Sequence, residues 1–155
     1  MAGDVQLDEP PADLLATARR VVPTWMRRVV ADACARGGVD PSTVDAELGR
    51  VVDRAAAAAL AQLAALLATD VDEQRATPLS LLRDSTWPLG EFLRERGVVA
   101  PPADPSAPDT VARDVYRLGP ATWSDVDPEL QVPGLTWGAW KAMTVLARRR
   151  DEGLR

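Results

Sequence analysis

Asp125, Asp127 and Glu129 alternate along five residues, and alternating oxygen ligands are what a hard cation such as calcium requires. As a calcium loop the segment fails twice. Counting from Asp125, position 6 is Leu130 where a turn glycine is needed, and position 12 is Thr136 where a bidentate acid is needed. The same residues also spell a helix start, with Ser124 or Asp127 capping a short helix that Pro128 begins. Capping is the reading adopted, and neither a metal nor another cofactor is expected. Asp70, Asp72 and Glu73 read as a solvated helix end.

A second constellation is aromatic. Trp123, Trp137 and Trp140 fall within 18 residues, close to Asp114, Tyr116 and Lys141. Such a cluster could wall a ligand pocket between the Trp-bearing helix and the 114–130 turn, with Asp114, Asp125 or Asp127 as base and Lys141 as anion partner. In a chain with one Phe, one Tyr and no Ile, the indoles are also what the core needs, since each buries about 150–250 Å². Lys141 is the single lysine. Its stem runs beside Trp137 and Trp140, so it is either a snorkelling surface charge or an ammonium paired with Asp114 or Asp125.

Other chemistry is excluded by composition. There is no His, which removes Ser-His-Asp and Cys-His systems, His-ligated zinc or haem, and imidazole pH switching. Cys34 is alone, so it forms no internal disulfide or thiolate cluster and reads as a core thiol. Gly37-Gly38 lacks a following Lys-Ser or Lys-Thr and terminates a helix rather than cradling phosphate. The net charge is −5 and the pI about 4.8, against what a nucleic-acid binder needs. Charge is nonetheless uneven: residues 15–36 carry five Arg and one Asp, residues 37–75 seven acids and three Arg. That asymmetry could orient two protomers or attract an anionic partner. A DNA-bound regulator would need Arg148–Arg150 beside Arg19–Arg28 on one face.

The elements that must position these residues are helical throughout. Residues 1–10 form a flexible lead-in. From Pro11, Leu15, Ala18, Val22, Trp25 or Met26, Val29 and Ala33 hold one face, and Pro23 splits the run into two helices, the second ending at Gly37-Gly38. Asp40-Pro41 starts a long helix that runs to about Thr69, roughly 43 Å at 1.5 Å per residue, about the diameter of the whole domain. Its Ala55–Ala59 run lets another helix approach closely, from this chain or from a second copy. Thr77-Pro78 starts a short helix, and Pro88 restarts another that ends at Gly97. Residues 98–113, with four prolines, read as an extended connector. A short helix around 127–130 and a final helix from Trp137 to about Arg150 complete the chain, leaving 151–155 as a tail.

The fold expected is therefore all-α: an irregular multi-helix bundle around one long Ala-rich helix, with residues 11–150 as a single domain. The acidic N-terminus shows no secretory signal, and the apolar stretch Ala55–Ala68 is too short to span a bilayer at about 20 residues. A cytoplasmic protein without membrane contact is expected.

The segments Arg75-Ala-Thr-Pro-Leu-Ser-Leu-Leu-Arg83, Asp114-Val-Tyr-Arg-Leu118, Asp125-Val-Asp-Pro-Glu-Leu130 and Trp137-Gly-x-x-Lys-Ala142 resemble a family of uncharacterised proteins of high-GC actinobacteria over residues 75–150. The resemblance implies that the Asp-x-Tyr turn, the acidic cap and the Trp-Gly helix belong to one unit, and it implies no activity. The expected function is a non-enzymatic interaction module that forms a homo-oligomer, a homodimer through the Ala-rich helix, with a further protein partner possible. The alternative is a small-molecule-binding protein or hydrolase whose site draws on Asp114, Tyr116, Trp123, Asp125, Asp127, Trp137, Trp140 and Lys141.

Overall fold

Helix α1 runs unbroken from Asp13 to Arg36 with Pro23 inside it, so the expected split does not occur. A mid-helix proline costs about 3 kcal/mol through its missing amide and ring clash. Here Val21 and Val22 on one side and Trp25 and Met26 on the other are all buried, so both halves are anchored along one core face. Packing overrides the local preference. The computed structural model describes residues 13–68, 77–102, 105–106 and 113–153. The expected N-terminal lead-in and half of the Pro-rich connector 98–113 lie outside these residues.

At the end of α1, Gly38 turns the chain with φ +81, and Val39 N–H donates to Cys34 O at 2.8 Å. This is the left-handed terminus that glycine permits. Asp40 then caps a single 3₁₀ turn, Pro41–Val44, by accepting from Ser42 N–H at 3.0 Å. Bonds from the Ser42 amide, then its hydroxyl, hold the Asp40 carboxyl below its ordinary range. Helix α2, Asp45–Ala68, follows directly.

α2 returns along α1, and those two form the most extensive helix pair. Ala55, Ala56 and Ala59 are buried, so the close approach offered by the Ala run is taken up within the chain. α2 is long and apolar enough to cross a membrane by length and composition, which the 14-residue stretch Ala55–Ala68 considered alone did not indicate. In this fold it packs against α1, α3 and α4, with Val52 and Leu63 fully buried.

Helix α3, Pro78–Asp84, begins where Thr77-Pro78 indicates, and a reciprocal Thr77–Ser80 capping box closes its first turn. Helix α4, Trp87–Glu95, follows after a tight turn. Both lie against α2, and α4 also reaches α1, placing Leu82, Leu89 and Leu93 in the core. Val98 and Val99 then cross the end of α1 so closely that a Cβ at Gly37 would meet Val98 Cγ1 at 2.4 Å and Val99 O at 2.8 Å.

The chain closes with α5, Trp123–Val126, a 3₁₀ turn, Pro128–Leu130, and α6, Gln131–Gly153. α6 begins six residues before Trp137, the start expected from sequence, because the 3₁₀ turn feeds straight into it. Pro133 falls in its first turn, where the amide it lacks would have no intrahelical partner. α5, the 3₁₀ turn and α6 pack on α1. The C-terminal half wraps the α1–α2 pair, with α3 and α4 on α2, α4 also on α1, and α5 and α6 on α1. Among the described residues there is no strand, and the fold is all-α.

Candidate functional site

Asp114 organises the turn that precedes α5. Its carboxylate accepts from the amides of Leu118 at 2.8 Å and Gly119 at 2.6 Å, while its carbonyl accepts from Arg117 N–H at 2.9 Å. Arg117 takes a left-handed φ of 56, which the turn enforces against the ordinary preference of a branchless cation for negative φ. Tyr116 is buried and its hydroxyl donates to Val98 O at 2.8 Å. Arg83 from α3 donates to Pro120 O through Nη2 at 3.1 Å. Asp114 thus holds the turn together, and Tyr116 fastens it to the α4–connector corner.

The acidic cluster is dispersed by its local bonds. Asp125 reaches back to the amides of Thr122 at 2.9 Å and Ala121 at 3.0 Å, Asp127 caps the 3₁₀ turn through Glu129 N–H at 2.9 Å, and Glu129 pairs with Arg20. Arg28 donates to Val126 O at 2.9 Å and Asp125 O at 3.3 Å, closing the carbonyl end of α5. Among the described residues no three Cys, Asp or Glu side chains converge as a metal ion would require. The Asp127 cap is as the Asp-Pro sequence indicates.

The amides of Thr122, then of Ala121, hold the Asp125 carboxyl below its ordinary range. A depressed folded-state pKa gives stabilisation that is present above the unfolded value and is lost as pH falls through the folded one. Asp125→Ala should therefore lower stability by about 1 kcal/mol at neutral pH and flatten the loss that wild type shows below the ordinary carboxylate range. Urea midpoints at neutral pH and in strong acid check this: a difference between the two chains that persists unchanged into acid contradicts it.

The indoles are closed rather than open. Trp137 is 6% exposed, and Trp123 and Trp140 pack half-buried against the core. The Trp137 and Trp140 ring centroids are 6.5 Å apart at 43°. Trp123 lies flat on the backbone of α6 at Gly134, where a Cβ would come within 2.4 Å of its ring. Lys141 Nζ sits 5.2 Å from the centre of the Trp137 ring, and the carboxylates of Asp114 and Asp125, the partners named in the pairing alternative, accept from backbone amides. Lys141→Met should cost about 0.5–1 kcal/mol, the worth of an exposed cation–π contact, and Lys141→Arg should restore it. Equal urea midpoints for all three chains would remove the contact from the stability account.

Two shallow cavities, of about 340 and 370 Å³, lie along the C-terminal half of α1. The first is bounded by Ala33, Arg36, Val99, Pro101 and Tyr116, the second by Val29, Asp32 and Arg117. Neither is lined by Trp123, Trp137, Trp140, Asp114, Asp125 or Asp127. Of the expected site residues, Trp137, Trp140 and Lys141 come together on α6, Trp123 joins them from α5 through Gly134, and Asp114 and Tyr116 stand apart at the preceding turn.

A different feature escaped the sequence. Among the described residues, Val132, Leu135, Met143 and Leu146 are 71%, 60%, 44% and 58% exposed, and all four belong to α6. The signal was periodicity at three and four from Val132 onward, truncated by starting the helix at Trp137. Comparison with known proteins gives no match: no family fits the chain, and no curated protein or solved structure is similar to it.

Proposed function

We propose that this chain is a non-enzymatic helical interaction module of the cytoplasm that works as a homo-oligomer, with the outer face of α6 as its contact surface. The carrying observation is that four of the seven large hydrophobic side chains exposed among the described residues lie on this one helix. Scattered exposed apolar residues are ordinary, whereas a contiguous row is the mark of an interface. By contrast α2 turns Leu48, Val52, Leu63, Leu66 and Leu67 inward, and the apolar side chains it leaves exposed are alanines such as Ala57, Ala58 and Ala61. The carboxylates that an enzymatic site would need hold backbone amides instead.

Full burial of a Val, Leu or Met is worth about 1.5–3 kcal/mol, and these are roughly half to two-thirds exposed, leaving about 1–2 kcal/mol each to be gained. Eight such side chains across a two-fold pair offer on the order of 8–16 kcal/mol gross, against an association cost of about 4–15 kcal/mol. The apolar face brings the pair close to balance, and polar contacts at its ends tip it.

Light scattering at micromolar concentration should report a dimer for wild type and for Ala57→Arg on α2, and a monomer for Leu135→Glu. A monomer in wild type over a roughly hundredfold concentration range, or an unchanged mass in Leu135→Glu, overturns the reading.

A further inference from the structure

Self-association through α6 leaves open how two copies meet, and the distribution of side chains along the helix is directional. Val132, Leu135, Ala139, Ala142 and Leu146 are all exposed and follow one another at three, four, three and four residues, the spacing of a two-helix seam. The next seam position is Arg149. From Val132 to Arg149 the seam is about 26 Å long at 1.5 Å per residue. Its bulky members stand towards the ends and its small ones at the centre, where a Cβ added at Gly138 would meet nothing within 4 Å. The middle of the helix is open to close approach by another backbone.

Charge is polarised along the same line. Just before α6 begins, Asp125 and Glu129 are exposed and Asp127 half-exposed, and near its other end Arg149 and Arg150 are exposed. A parallel pair would set Arg149 against Arg149 of the second copy and acids against acids. An antiparallel pair sets each Arg149–Arg150 end beside the partner's acidic end and opposes the two helix dipoles. Asp151 and Glu152, one and two residues past Arg150, fall off the seam at 100° per residue, so they do not cancel this match. Glu129 already pairs with Arg20 of its own chain, but both side chains are more than half exposed, and a carboxylate can accept from two guanidinium groups.

We infer that two copies of this chain pair through α6 antiparallel about a two-fold axis between Ala139 and Ala142. In that register Leu135 lies level with Leu146 of the second copy at both ends, and Ala139 lies level with its Ala142 at the centre. Arg149 and Arg150 reach over the second copy's Asp127–Glu129 turn. The arrangement is isologous and closed: the same patch serves both partners, so assembly stops at two. It rests on self-association through α6 and adds the direction and the residues that choose it.

Two experiments on the full chain test it. Under mild oxidation, Leu135→Cys and Leu146→Cys chains should each give little disulfide dimer alone and should cross-link when mixed; Cys34 is fully buried and does not compete. Separately, Arg149→Glu/Arg150→Glu and Glu129→Arg should each weaken their own dimer by about tenfold or more, and an equimolar mixture should recover wild-type affinity as a heterodimer, because the exchanged charges then meet at one end and native charges at the other. A Leu146→Cys chain that cross-links alone, or charge exchange without rescue in a chain that still dimerises, overturns the antiparallel pairing and leaves self-association standing. A wild-type chain that remains monomeric overturns both. A monomer that instead floats with anionic lipid vesicles through an intact Leu135 assigns the face to a membrane surface and also overturns both.

Discussion

Gly134→Ala should destabilise the protein by about 2–3 kcal/mol, the upper part of the range for overpacking, although alanine is the better helix former. The added Cβ would stand 2.4 Å from Cδ2 and Cε2 of Trp123 and 2.5 Å from its Nε1. Those are rigid ring atoms, so neither a small rotation nor the far end of a flexible chain can relieve the clash. The indole can retreat only if α5 moves, and α5 is held by the Asp125 bonds to Ala121 and Thr122 at one end and by Arg28 on its last carbonyls at the other. Gly138→Ala is the matched control one turn along. A Cβ there touches nothing, so the variant should gain up to about 1 kcal/mol from helix propensity alone. Opposite shifts of the urea midpoint are expected from one chemical change on one helix. Equal shifts would mean that Trp123 does not press on Gly134.

That contrast also shows what could be read in the sequence and what could not. Both glycines look alike in a linear pattern, each interrupting a helical run, and only the partner brought from α5 separates them. Capping signals were legible because cap and recipient lie within a few residues: Asp40 before Pro41, Thr77 before Pro78 and Asp127 before Pro128 all act as their spacing indicates. The all-α class followed from 3.6-residue periodicity for the same reason. Pro23 misled because its local cost is outweighed by core contacts on either side, made with elements distant in sequence. The start of α6 was misplaced because Pro133 and Gly134 are breakers in isolation, whereas here proline sits in a first turn and glycine under an indole. Arg28 reaching Val126 O across 98 residues has no local signature at all. The candidate carboxylates were singled out by their spacing, and spacing alone does not distinguish oxygens aimed at a ligand from oxygens aimed at amides.

Asp114→Ala carries the second large effect and bears directly on that distinction. It should cost about 2–4 kcal/mol, since charge-assisted hydrogen bonds contribute about 1.5–3 kcal/mol each and partly buried amides are left unanswered. The donors are the amides of Leu118, itself in the core, and of Gly119, where a Cβ would meet Arg83 Cγ at 2.5 Å and Asp114 Oδ2 at 3.0 Å. Both bonds are partly buried, and Gly119 lies against Arg83, which itself donates to Pro120 O. Asp114→Asn keeps one acceptor oxygen, so it can serve one of the two amides while presenting its own N–H₂ to the other. Its loss should be about half that of alanine. A carboxylate kept as a general base would behave otherwise: removing it would barely move the unfolding midpoint, because a base poised for substrate is not also holding a turn together. The ordering wild type, asparagine, alanine in urea midpoints, with hydrogen exchange at Leu118 and Gly119 accelerating in the same order, is expected from the geometry. Three coincident midpoints would return Asp114 to the set of residues available for chemistry.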